Sequence, residues 1–127
     1  MRWLIALLFW GCDDPCERLE VADLEVCIDR AKSAAERTRG LIGHDLQNDE
    51  GLLLTFPVEG EVCLTNAGVP YPIDALWIDE GGVVVAIEQG LAAQAQGPWC
   101  HSPARHVLEV NGGVALGVEV GARVQGL

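Results

Sequence analysis

The chain has 127 residues, half of them hydrophobic, with 19 acidic residues against eight basic ones and a formal net charge of −11. Nucleic acid and anionic bilayers both require a basic face that this composition lacks, so neither is expected to bind directly. The length is that of one domain, large enough to bury a proper core.

The chain opens with MRWLIALLFWG: Arg2, an unbroken apolar run from Trp3 to Trp10, and a small residue ahead of Cys12. The run is far shorter than the ~20 residues of a spanning helix, and the layout is that of a short secretory signal. A cysteine directly after the cleavage point resembles a bacterial lipoprotein signal, in which the thiol is acylated and becomes the mature N-terminus. Phe9 stands where leucine is usual, and Trp10 is bulky for its position. The alternative is a local pairing of Cys12 with Cys16. We therefore expect a signal peptide over residues 1–11, a lipidated tether over 12–18 and a single β domain over 19–127. The lipid on Cys12 would hold the protein on the periplasmic face of the inner or the outer membrane.

Removing Cys12 from the five cysteines leaves Cys16, Cys27, Cys63 and Cys100, an even set suited to an oxidising compartment. Cys16 and Cys27 flank a hairpin pattern, which suggests pairing them and then Cys63 with Cys100. Spacing alone also allows Cys27 with Cys63 or Cys100. Zinc sites show close ligand pairs such as C-x-x-C, and these spacings are long and irregular, so no metal is expected. No motif calls for a cofactor.

Downstream, apolar residues alternate as in strands. LEVADLEVCID (19 to 29) reads as two strands about a turn at Ala22 and Asp23, and GLLLTF (51 to 56) and EVCLTN (61 to 66) as two more. Between them Ser33 and Glu36 form a capping box for one short helix, with Gly40 where its C-terminus favours a left-handed residue. IDALWID and VVVAIEQ are joined by Glu80, Gly81 and Gly82, a tight-hairpin signature. RHVLEV ends at Asn111, Gly112 and Gly113, and a closing strand is expected around Ala122 to Val124. The pattern predicts a mainly β fold: a compact antiparallel sandwich or barrel with one or two short helices.

Four blocks carry a family resemblance: ERTRGLIG (36 to 43), GLLLTFP (51 to 57), NAGVPYPIDALWID (66 to 79) and PARHVLEVNGG (103 to 113). In this order they resemble the family called domain of unknown function 192, whose members typically read RGLMGR, GMLFVFP, WMKNTxIPLDILFID and PARYVLELPAG. The resemblance runs from about Leu24 to the C-terminus. His44 stands where arginine is common. Leu64, Thr65 and Ala67 replace the Met, Lys and Thr around Asn66, and two residues are inserted before Pro72. The family implies a mainly β domain with a small helix, often exported, and no established activity.

In the strand from Ile73, alternation puts Asp74 on one face with Leu76 and Ile78. A buried carboxylate needs a partner, and Arg39 and Arg105, which match the family blocks, are the natural candidates. Arg39, Asn66, Asp74 and Arg105 thus form a candidate polar cluster, read either as an internal ion pair or as a ligand site. The same alternation sets Trp77 opposite the core, where with Trp99 it offers an aromatic platform or fills a groove. His101 beside Cys100 suggests a Cys/His pair, but an oxidising compartment and opposed side chains argue against it. No nucleophile elbow, nucleotide loop or H-E-x-x-H motif is present. The expected role is a non-enzymatic binding or accessory module of the bacterial cell envelope, with an unidentified protein or small molecule as ligand. The alternative is a small hydrolase using Asp74 with a histidine.

Overall fold

A computed structural model describes residues 15–127; the expected signal segment and Cys12 lie outside the described residues. Strands β1 (Glu17–Val21) and β2 (Leu24–Ala31) form the expected hairpin, turning at Ala22, whose φ is 53°. Helix α1 (Ala34–Arg39) has its capping box: Ser33 Oγ accepts the Glu36 N–H at 3.1 Å, and Glu36 Oε1 accepts the Ser33 N–H at 3.0 Å. Gly40 closes the helix at φ 51°, its N–H donating to the Glu36 carbonyl. β3 (Glu50–Leu64), β4 (Ile73–Ile78), β5 (Val84–Leu91), β6 (Trp99–Asn111) and β7 (Val124–Gln125) follow.

These strands make one curled sheet in the order β5-β4-β6-β3-β2-β1-β7, a half-barrel with almost no helix. The mainly β reading holds, with two differences in detail. β2 and β3 are parallel, with Cys27 opposite Glu50, because α1 lies in the connection between them and returns the chain in the same direction. The two strands expected at 51–56 and 61–66 are one 15-residue strand. It absorbs Pro57 and Gly60 at register shifts against β6 and so bends without breaking.

Every strand contributes to the inner core, with Val21, Ile28, Leu53, Leu76, Val84, Leu108 and Val124 among its members. A second cluster on the outer face gathers Leu41, Leu54, Leu64, Val69, Ala75 and Trp77 beneath α1 and the turns after β3. β4 is consequently buried on both faces. The C-terminal segment joins the two ends of the curl. Val84 N–H donates to the Ala122 carbonyl, Gly121 N–H to that of Val84 and Val124 N–H to that of Gly82, while β7 pairs with β1. Disulfides link Cys16 to Cys27 and Cys63 to Cys100, the two pairs drawn from the sequence; Cys63 and Cys100 face each other directly in the β3–β6 register.

Candidate functional site

On the outer face, the bend of β3 and the short helix leave an open pocket of about 330 Å³. One side is α1 and its C-terminal turn, with Arg37, Arg39 and Leu41. A second is β3, with Leu54, Phe56 and Leu64, and the third is the 65–69 turn. The walls are largely apolar. At the floor lies Glu109 of β6, which is paired in register with Leu52 of β3 and Ala75 of β4 and is only 3% exposed.

Two lining residues give the pocket its character. Asn66 is fully buried, and its Nδ2 donates to the carbonyls of Ala92 (2.9 Å), Tyr71 (3.1 Å) and Leu91 (3.4 Å). Turning the amide over would set an oxygen against three carbonyl oxygens, so its orientation is fixed and Oδ1 is the atom left over. That Oδ1 and Glu109 Oε1 are the buried side-chain polar atoms without a hydrogen-bond partner among the described residues, and both residues line this pocket. Glu109 Oε1 is turned toward Gly40: a Cβ built there would lie 3.9 Å from it. Burial without a compensating charge pushes the Glu109 carboxyl up to about 8. Burial also raises the Tyr71 phenol, with the charges of Asp45 and Glu109 adding to the effect.

The predicted cluster separates. Arg39 and Asn66 line the pocket; Asp74 and Arg105 do not. Asp74 is fully buried, as expected, but on the inner face, and its partners are backbone amides in place of either arginine. Oδ1 accepts the Gly90 N–H at 2.8 Å, and Oδ2 accepts those of Gly113 and Ala115, each at 3.0 Å. Gly90, at φ 66°, sits in a bulge where β5 carries extra residues opposite Asp74, which aims its N–H inward. A carboxylate with both oxygens bonded and no exposure has no face for a substrate, so the hydrolase alternative loses its carboxylate. Arg105 instead donates through Nε to the Phe56 carbonyl and lies 3.7 Å from Glu80, and Arg39 Nε donates to the Ile42 carbonyl.

Other expectations are corrected in the same way. Trp77 is fully buried, because β3 folds over its face and takes the indole N–H on the Val62 carbonyl at 2.9 Å. It is no exposed platform; its ring packs edge-on against His101. His101 bonds Glu88 at 2.8 Å, and Cys100 is committed to its disulfide. His106 meets Thr55 Oγ1 at 3.0 Å, and burial, with help from Arg105 and Arg30, lowers its pKa. The residue missed from sequence is Glu109. Its signal was alternation: in VLEV it shares a face with Val107, opposite Leu108 and Val110, a lone acid on an apolar face.

Fold and site thus define a curled β domain with a pocket floored by two oxygens that have no hydrogen-bond partner among the described residues. The chain belongs to the DUF192 family, described as an uncharacterized ACR, whose model matches residues 17–126. Two crystal structures share the fold. One is a protein of unknown function from Novosphingobium aromaticivorans DSM 12444, 22% identical over 85% of this chain and 83% of that one, with a TM-score of 0.80. The other is a candidate transcription regulator from Sinorhizobium meliloti 1021, 23% identical over 91% of this chain and 97% of that one, with a TM-score of 0.82. No curated protein matches the chain.

Proposed function

We propose that the protein is a non-enzymatic binding module of the bacterial cell envelope, held to the membrane by a lipid on Cys12, whose pocket beside α1 takes a small polar molecule. One observation carries the reading: Asn66 Oδ1 and Glu109 Oε1 are buried, unpartnered and in the wall of the same pocket. Each such acceptor costs about 1–3 kcal/mol when left without a donor. A ligand bringing N–H or O–H groups would recover that energy. The two disulfides fit a non-reducing compartment, the apolar leader with Cys12 supports the anchor, and the net charge of −11 speaks against a nucleic-acid ligand.

The test is a ligand-observed NMR screen of small polar fragments against the protein and against Ala67→Phe, which sets a ring in the pocket. Hits lost in the variant support the reading, and a screen in which hits are absent or indifferent to the variant rejects it. For the anchor, label from a palmitate analogue should disappear in Cys12→Ala. A second reading draws on the same carboxyl. A titratable group near 8 in a pocket is what general acid–base catalysis uses. It ranks lower because the pocket's nucleophiles have no base bonded to them among the described residues: Cys63 is in a disulfide, Thr65 Oγ1 donates to the Ala95 carbonyl, and the Thr38 hydroxyl has no side-chain partner.

A further inference from the structure

We propose that the pocket's ligand is a small zwitterion with an apolar side chain, of the α-amino acid type, its ammonium on Glu109 and Asn66 and its carboxylate on Arg39. This rests on the pocket reading above and names the chemistry it would select.

The floor presents two oxygens without partners, and Glu109, neutral below about 8, releases its proton on pairing with a cation. Asn66 has spent its donors on three carbonyls, so it offers only Oδ1, and Glu109 offers Oε1. A group that satisfies both atoms must bring at least two hydrogens, which an ammonium does and a single hydroxyl does not. The α1 side has the opposite sign. Arg37 is occupied: Nη1 donates to the Lys32 and Thr55 carbonyls, and the guanidinium lies over the Phe56 ring, 4.9 Å from its centroid. Arg39 commits only Nε, to the Ile42 carbonyl, and has no ion pair among the described residues, so its terminal nitrogens remain to receive a carboxylate.

A simple cation entering the pocket meets two arginines, and a simple anion meets two buried acceptors. A molecule carrying both charges satisfies each end and adds no net charge to the pocket. Leu41, Leu54, Leu64 and Val69 then supply an apolar wall for an aliphatic side chain.

Isothermal titration calorimetry on the purified full-length protein in detergent, with three matched probes, tests this. L-leucine carries both charges, L-leucinamide only the cation and N-acetyl-L-leucine only the anion. The expected result is that leucine binds about tenfold tighter than either relative, the worth of one good charged hydrogen bond. Arg39→Ala should remove that advantage over leucinamide, and Glu109→Gln should weaken both leucine and leucinamide. Equal binding of leucine and leucinamide overturns the proposal, as does preference for the N-acetyl compound or an absence of binding by all three. In each of those cases the fragment screen with Ala67→Phe reports separately whether the pocket binds anything.

Discussion

Asp74 and Glu109 are two carboxyl groups on adjacent paired strands, both buried, on opposite faces of one sheet. Asp74 points into the inner core and is met by three amide hydrogens, which tie β5 and the turn after β6 to β4. Glu109 points outward under α1, and one of its oxygens has no partner. Burial is the same; donors are not. A buried acid that is fully bonded holds a fold together, whereas one left open costs stability and makes that free energy available to a ligand. Location alone could not separate them, and counting donors does.

The largest test of this contrast is Asp74→Ala. It strands one buried amide, that of Ala115, and two part-buried ones, those of Gly90 and Gly113, and should lower unfolding stability by about 4 kcal/mol in urea denaturation. A loss under about 1 kcal/mol would break the contrast, because water would then be serving those amides as well as the carboxylate does.

Next comes Glu109→Gln, where the sign reverses. The folded-state pKa of about 8 lies above the ordinary value of 4.5. The folded state therefore holds the proton more tightly, and the group's contribution is fully present below 4.5 and lost as pH rises to about 8. Wild type should fall behind Glu109→Gln across that window by on the order of 3 kcal/mol, less than the whole shift implies because pocket water relieves some of the burial. The variant's advantage should vanish near pH 4.5. His106, lowered by burial, works in the opposite direction as pH falls below its usual 6.5, but it is common to both proteins and cancels in the difference. Parallel melting curves across the window would remove Glu109 from the account.

Asn66→Asp sharpens the comparison within a single side chain. The filled side, Nδ2, becomes an oxygen facing three carbonyls, and a loss of about 2 kcal/mol is expected by chemical denaturation. The smallest effect separates the observed partners of Asp74 from the predicted ones. Arg105→Ala should cost about 1 kcal/mol or less and be additive with Asp74→Asn in a double-mutant cycle. A coupling well above 0.5 kcal/mol would restore the arginine pairing.

Much of the fold could be read locally. The turn at Ala22, the Ser33–Glu36 capping box and the Gly81–Gly82 hairpin each depend on a few neighbouring residues, and each is present. What could not be read depends on distant parts of the chain. Pro57 and Gly60 look like breakers until β6 accommodates the bulge, and the parallel register of β2 and β3 follows from a crossover that strand periodicity does not encode. Alternation sets Trp77 on the face it occupies but leaves its exposure open, and β4 has no solvated face. Of the expected cluster, Arg39 and Asn66 line one pocket, whereas Asp74 is held by backbone amides, which leave no trace in side-chain chemistry. Glu109 was passed over although its place in VLEV marked it.

Asn66 gives all its donated bonds to main-chain carbonyls, and Asp74 takes all of its own from main-chain amides. Every residue type except proline offers both groups, so neither anchor draws on the side chains of residues 71, 91, 92 and 115. The architecture is thereby insulated from much of its own sequence, as its recurrence in proteins 22% and 23% identical illustrates. The same economy leaves the side chains around the pocket with one task each: the walls pack, and the floor alone presents unpaired oxygens.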